Sequence, residues 1–237
     1  EIGVRIVGSE MCIRDRNRVL KTSPLSGIYR NHSVKLTEVS GWQIAEDFGD
    51  KERESQHLYK DSVLIDWSHI GKISLSKGDA PKAAEQVFNG TSKLEPLTSA
   101  ANQDIAVLCL TRNDYLILCQ PGMETELLKK IDPQITTVTD QTGSQGCLVL
   151  GGPRRDEVLQ RSTAVDLRRD KVVAGSVLQS SIHTVGMTLY RTKNFDIMVH
   201  PRNLSESLYD ALMDVGIGVG MVPGGIATVP VSFEGDK

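Results

Sequence analysis

The chain of 237 residues has few aromatic side chains, no long apolar run and no excess of positive charge. No stretch reaches the roughly 18 to 20 uninterrupted apolar residues that a membrane-spanning helix requires, so we expect no membrane contact. The formal net charge is −3. Since binding to phosphates needs a surplus of Lys and Arg, nucleic acid is not expected as a partner. Composition therefore predicts an ordinary globular protein.

Cysteine is also scarce. The four cysteines show no C-x-x-C spacing, and most of them lie in apolar runs: Cys12, Cys109, Cys119 and Cys147. A disulfide framework or a zinc site would show more regular spacing. We therefore predict reduced core thiols, no metal site and a cytoplasmic location, because thiols stay reduced in that compartment.

The first sixteen residues, EIGVRIVGSEMCIRDR, have neither the basic start nor the apolar core of a signal peptide. The string VGSEMCIRDR resembles a translated sequencing-library adapter. We interpret residues 1–16 as a non-native leader, with the native sequence beginning near Asn17. The alternative is a natural strand, because Ile2, Val4 and Ile6 alternate with other residues.

Between residues 62 and 139 the apolar pattern predicts a strand, a helix, a hairpin, a second helix and a last strand. The predicted ranges are 62–76 with a break at Gly71, 79–90, 105–110 with 115–119, 123–131 and 135–139. Asp79 is a suitable helix N-cap, and Pro81 fits the first turn. This order is the ferredoxin-like βαββαβ arrangement.

A similar order follows after residue 140. Strands are predicted at 147–150, 177–184, 187–190 and 195–199, with helices at 153–160 and 204–215. Asn203 and Glu206 are predicted to form a capping box for the last helix. We therefore predict an α+β fold of two interleaved ferredoxin-like halves, at about 17–140 and 141–216. The tail, 217–237, holds one short apolar run at 226–231 and is otherwise interpreted as an irregular, truncated edge.

Several motifs resemble glycine cleavage T-proteins, which are aminomethyltransferases. That family has a threonine-proline-leucine stretch, a glycine-tryptophan pair and an aspartate-valine-serine-histidine-methionine-glycine-lysine run. The corresponding residues here are Thr22, Pro24 and Leu25, then Gly41-Trp42, then Asp66-Trp67-Ser68-His69-Ile70-Gly71-Lys72. The stretch 195–216 also resembles the gamma subunit of heterotetrameric sarcosine oxidase, a shorter relative. The likeness spans roughly residues 20 to 216 and combines several moderate motifs.

The resemblance implies a folate-binding domain in which tetrahydrofolate accepts a carbon. The residues that would bind this cofactor are Trp42, Trp67, His69, Gln103 and Arg191. Large flat side chains such as tryptophan can stack on a pterin, but a core role is at least equally supported for each. For His69, a hydrogen-bonded structural role is favoured.

Two departures from the family change the expected chemistry. Active T-proteins have a glycine-glycine-isoleucine-leucine-aspartate-aspartate stretch, whose carboxylate lies against the pterin. Here the stretch is Ala101-Asn102-Gln103-Asp104, so an amide replaces the first aspartate and only Asp104 remains as a catalytic candidate. The alternative for Asp104 is a solvated residue at a strand start. The family's glycine-tyrosine-threonine-glycine-glutamate loop is replaced by Tyr190-Arg191-Thr192-Lys193-Asn194, which lacks the acid.

We therefore expect a T-protein-like, folate-binding protein of one-carbon metabolism with weak or no catalysis of its own. Its central hollow should lie beside Asp104 and Trp67. One alternative is a noncatalytic, gamma-like subunit of a sarcosine oxidase complex, which the absence of the family's C-terminal barrel favours. The other is a competent aminomethyltransferase. The implied partners are folate and either amine oxidase or glycine-cleavage subunits.

Overall fold

The computed structural model describes residues 19–168 and 170–234. The predicted leader and Cys12 lie outside these residues. The strands are β1 Lys21–Thr22, β2 Lys35–Val39, β3 Trp42–Asp47, β4 Ser62–Asp66, β5 Gly71–Ser76, β6 Thr98–Ala101, β7 Ile105–Thr111, β8 Asp114–Cys119, β9 Thr137–Asp140, β10 Gln145–Gly151, β11 Val177–Ile182, β12 Val185–Arg191, β13 Phe195–Pro201 and β14 Met221–Gly224. The helices are α1 Ser26–Arg30, α2 Lys51–Lys60, α3 Ala80–Glu85, α4 Glu124–Lys130, α5 Arg155–Ser162 and α6 Ser205–Ile217.

Two large sheets face each other, with helices on both outer sides. Their strand orders are β11-β12-β13-β10-β4-β14 and β6-β7-β8-β5-β9. Ile65 and Val149 from the first sheet meet Leu108 and Leu118 from the second in a buried inter-sheet core. α5 and α6 pack on the outer face of the six-stranded sheet, and α3 and α4 pack on that of the five-stranded sheet. The result is a four-layered α+β fold, which confirms the predicted class.

Each large sheet contains a ferredoxin-like strand order. In the five-stranded sheet the order is β9-β5-β8-β7, and in the six-stranded sheet it is β4-β10-β13-β12. The two halves are interleaved because β4 precedes the first half in the chain but pairs antiparallel with β10. Neighbouring strands in both sets are antiparallel.

The prediction of one interrupted strand over 62–76 is wrong, because β4 and β5 belong to different sheets. Residues 67–70 turn the chain from one sheet to the other. The buried Lys72 ammonium donates to the carbonyl oxygens of Ser68 at 3.0 Å and Ile70 at 2.8 Å. These bonds satisfy carbonyls that would otherwise be buried without partners, so they stabilise the turn.

The tail was expected to be largely irregular, but part of it forms a strand. β14 pairs in parallel with β4. Beyond it, Phe233 is fully buried, and its ring centroid lies 6.4 Å from that of Trp67 at an interplanar angle of 86°. Apolar residues of the tail therefore complete the inter-sheet core. No helix in the described ranges is both long and apolar enough to cross a membrane.

The two predicted helix caps have different outcomes. The Asp79 carboxylate accepts from the Lys82 backbone N–H at 3.1 Å and so caps α3 as expected. The predicted capping box at α6 is wrong, since Leu204 holds the N-cap position and makes no side-chain capping bond. A 3-10 turn, Arg202–Leu204, precedes this helix. That turn places Asn203 before the cap position.

A third, small sheet has the order β1-β3-β2 and was not predicted. It comes from the segment between residues 18 and 57, whose pattern is mixed. β1 has two residues and β2 alternates weakly between exposed and half-buried positions. Short strands with little apolar alternation give little periodic signal.

Replacing Phe233 by alanine is expected to lower the free energy of unfolding by about 3 to 5 kcal/mol, because the change leaves a cavity in the inter-sheet core. Urea unfolding followed by circular dichroism would measure it. Tyr59→Ala is the matched control, since Tyr59 is 86% exposed. A surface change of this kind is expected to stay within about 0.5 kcal/mol. Equal losses in the two variants would show that residue 233 contributes nothing to the core.

Candidate functional site

Trp67 lies in the turn that joins the two large sheets and is fully buried. Its ring packs between Phe195, at 6.3 Å between centroids, and Phe233, at 6.4 Å. Its backbone N–H donates to the Cys147 carbonyl at 2.9 Å. Within the described residues the indole Nε1 has no hydrogen-bond partner. The ring is thus surrounded by the protein's own aromatic side chains.

Gln103 and Asp104 are exposed in the turn between β6 and β7. Asn102 Oδ1 accepts from the Asp104 backbone N–H at 2.9 Å and so orders the turn. The Gln103 carbonyl accepts from the Phe233 N–H at 3.4 Å. Gln103 and Trp67 therefore both contact Phe233, the first at its backbone N–H and the second at its ring, and the Asp104 carboxylate is left in solvent.

The expected hollow beside Asp104 and Trp67 is not among four cavities of the described residues, none of which includes either side chain in its lining. The Phe233 ring packs against the Trp67 ring instead. A carboxylate in solvent, like that of Asp104, has its charge screened by water.

His69 is buried in the same turn, but within the described residues its Nδ1 has no hydrogen-bond partner, so the expected hydrogen-bonded role is wrong. Burial lowers the pKa of His69 to about 4, although the nearby Asp66 carboxylate opposes the shift. Burial also lowers the pKa of Lys72, to about 8. Asp66 accepts hydrogen bonds from Ser23, from the Tyr29 hydroxyl at 2.6 Å and from the Ser68 N–H at 2.8 Å. This carboxylate therefore ties the N-terminal segment to the turn.

Trp42 stands apart from this group, at the start of β3 in the small sheet. It is almost fully buried. The Lys21 ammonium lies 5.5 Å from its ring centroid, and the Arg202 guanidinium carbon lies 5.4 Å away. Both are cation–π distances. Its contacts join the small sheet to the end of β13.

Arg191 is buried in an ion network. Its guanidinium donates to Asp196 at 2.7 Å and to Asp156 at 3.0 Å, and also to the carbonyl oxygens of Leu167 and Val172. Side chains alternate along β12, so Arg191 points away from the inter-sheet core that contains Tyr190. Its hydrogen bonds therefore go to structural partners.

A cavity of about 860 Å³ lies between the two large sheets. Leu110 and Thr111 line it at the end of β7, whereas Asp104 precedes the start of that strand. The length of β7 separates them by about 20 Å. Sequence reasoning missed this cavity. The sequence does contain a signal for it, because polar residues recur at every second position of two strands. These are Ser74 and Ser76 in β5 and Gln179 and Ser181 in β11.

The described residues contain no group of three or more His, Cys, Asp or Glu side chains placed to hold a metal ion. Cys109, Cys119 and Cys147 are buried and free, in agreement with the predicted core thiols. Burial raises the pKa values of Cys119 and Cys147 to about 12. These thiols are therefore poor nucleophiles at neutral pH.

A family model described as the GCVT N-terminal domain matches residues 25–232. The chain belongs to this family. It is 28% identical over 225 residues to an aminomethyltransferase from Desulforamulus reducens, covering 87% of this chain and 61% of that protein. A Lysinibacillus sphaericus aminomethyltransferase is 22% identical over 233 residues, with the same coverage. The chain thus spans about three-fifths of the length of the curated relatives it matches.

Two solved structures share the fold. The glycine cleavage system aminomethyltransferase T from Bartonella henselae aligns with a TM-score of 0.73 at 16% identity, over 88% of this chain and 60% of that chain. A chain of the heterotetrameric sarcosine oxidase from Corynebacterium sp. U-96 aligns with a TM-score of 0.56 at 19% identity, over 66% of this chain and 84% of that chain. At these identities the likeness establishes the fold alone.

The free energy of unfolding is expected to fall as the pH drops from about 6.5 towards 4. His69 and His200 have pKa values of about 4 in the folded chain against 6.5 when unfolded, so in this range only the unfolded chain takes up the protons. The loss between pH 7 and pH 5 is about 1 to 2 kcal/mol per histidine.

Urea unfolding at pH 7 and pH 5 would test this dependence. A variant with both His69→Gln and His200→Gln should lose most of it. The exposed His32 provides the control His32→Gln, which should keep it. If the double variant shows the same pH dependence as the unmodified chain, other groups are responsible.

Proposed function

We propose that this chain is a T-protein-type folate-binding protein of one-carbon metabolism. It takes part in passing the carbon of a glycine- or sarcosine-type amine to tetrahydrofolate, and it has weak or no aminomethyl transfer of its own. Membership of the GCVT N-terminal domain family supports the first part. Gln103 and Asp104, which directly precede β7, support the proposal of weak or no transfer.

The proposal of weak catalysis is supported by the amide at Gln103 together with the exposed position of Asp104. A carboxylate stabilises a developing cationic carbon best when it is fixed in a site that excludes water. Gln103 cannot carry a negative charge, and the Asp104 charge is screened by solvent. Neither side chain meets the requirement in this conformation.

The proposed folate contact is the face of Trp67, because a flat pterin can stack on an indole ring. Phe195 and Phe233 now pack against this ring. A pterin that stacks there must displace the Phe233 ring. The segment that carries this ring is held by three hydrogen bonds, from Gln120 Nε2 to the Val231 carbonyl at 2.7 Å, from the Tyr190 hydroxyl to the Phe233 carbonyl at 3.1 Å and from the Phe233 N–H to the Gln103 carbonyl at 3.4 Å. Binding therefore works against this packing.

Calorimetric titration with tetrahydrofolate is expected to give heat at high micromolar concentration. Trp67→Phe should weaken binding by about fivefold to tenfold, since a smaller ring offers less stacking area. Trp42→Phe is the matched control and should leave the affinity unchanged, because that ring lies in the small sheet. Absence of heat from the unmodified chain would remove the folate part of the proposed function.

An assay of aminomethyl transfer to tetrahydrofolate is expected to give little turnover. Gln103→Asp restores an acid at the position of the family's first aspartate, but that position is exposed in this conformation, so turnover should rise by less than about twofold. A rise of about tenfold or more would show that the missing acid, and not its exposure to solvent, limits transfer. Gln134→Asp changes another exposed glutamine and should have no effect. High turnover in the unmodified chain, lost in Asp104→Asn and kept in Gln103→Ala, would establish the competent aminomethyltransferase instead.

The second candidate function is that of a noncatalytic, gamma-like subunit of a sarcosine oxidase complex. The amide at Gln103 favours it, since such a subunit needs no catalytic acid. Co-purification from cells that also produce the flavin-bearing subunits would test it, with flavin absorbance as the readout. A chain that elutes alone, without flavin, speaks against this candidate.

A further inference from the structure

The cavity of about 860 Å³ is a cleft between the two large sheets, and its walls are polar and partly open to solvent, since Ser74 and Ser76 are half-buried and Gln179 and Ser181 are exposed. In β5, Ile73 and Leu75 pack on the helix side, so Ser74 and Ser76 face the other sheet. In β11, Val177 belongs to the inter-sheet core, so Gln179 and Ser181 continue along the same face. The facing surfaces therefore change from apolar to polar, and the sheets remain apart there.

The polar groups of this inter-sheet cleft are available for a ligand. Within the described residues, the side chains of Ser74, Gln145, Gln179 and Thr188 make no hydrogen bond to the protein. Amides and hydroxyls each donate and accept, so these groups can match neighbouring hydroxyls of a ligand. The volume is within the range of small-molecule sites.

The charge of the lining restricts the class of ligand. No Lys or Arg lines the cleft, and its one carboxylate belongs to Asp114. Thr111 donates to Asp114 Oδ2 at 2.6 Å, which fixes the carboxylate at the wall. A phosphate or carboxylate ligand would find no cation to pair with and would face this negative charge.

The floor of the cleft is apolar. Leu110, Leu116 and Val199 lie at its inner side, where the polar walls meet the inter-sheet core. Such a surface fits the C–H groups of a compact ring, while hydroxyls at the ring's edge meet the walls. We propose that the inter-sheet cleft binds an uncharged, hydroxyl-rich small molecule of the sugar or polyol class.

This site does not depend on the proposed function. It shares no residue with the group formed by Trp67, Gln103 and Phe233, and it lies at the other end of β7 from Asp104. Failure of tetrahydrofolate binding would leave the cleft unaffected.

Saturation-transfer NMR on the full chain would test the cleft, with D-glucose and myo-inositol as neutral probes and D-glucose 6-phosphate as the charged comparison. At least one neutral probe is expected to bind with a dissociation constant of about 1 to 10 mM, and the phosphate ester at least tenfold more weakly. No signal from either neutral probe at about 10 mM would overturn the assignment, as would equal binding of the phosphate ester.

A blocking variant locates the binding. Gly186 lines the cleft, and a Cβ there would have no heavy atom within 4 Å. Gly186→Trp should therefore fold and fill the cleft, abolishing the signal of the neutral probe. Gly218→Trp is the matched control, because its Cβ would make only an ordinary contact with Val215 O at 3.6 Å outside the cleft. A signal that persists in Gly186→Trp would place the binding elsewhere and overturn the proposed site.

Discussion

The fold depends on the turn at residues 67–70, which passes the chain from one large sheet to the other. A buried ammonium is costly unless it is hydrogen-bonded, and Lys72 donates to two carbonyls of the turn. The Asp66 carboxylate accepts hydrogen bonds from the Tyr29 hydroxyl, in the N-terminal segment, and from the Ser68 N–H, in the turn. Because this turn is held, β4 joins the sheet of the second half and the two halves cannot separate as independent units.

The same turn decides what surrounds Trp67. It carries the ring into the inter-sheet core, where Phe195 and Phe233 pack against it. The chain keeps the fold of its family, and its residue 103, close to Phe233, is an amide. The polar cleft lies where Trp67 and Phe233 no longer fill the space between the sheets. One region is therefore closed by aromatic packing and another is left open by inward hydroxyls and amides.

The predicted elements that proved right have a strong local signal. The hairpin of β7 and β8 and the helix α4 combine apolar periodicity with turn residues or end charges. Two of the predictions that failed depended on distant contacts. The break after Asp66 follows from the pairing of β4 with β10 and of β5 with β8, and the burial of Phe233 needs Trp67, which is far away in the sequence. Local periodicity contains no information on either.

The sequence by itself determined the order of strands and helices from β10 to α6, the α+β class, the buried thiols of Cys109, Cys119 and Cys147, and the amide at residue 103. Only the tertiary structure decided that Asp104 lies in solvent, that Arg191 is used in an ion network with Asp196, and that a polar cleft opens between the sheets. The reason is physical. Periodicity tells which face of an element a side chain occupies, but the packing of the two sheets decides which facing residues touch and which remain apart.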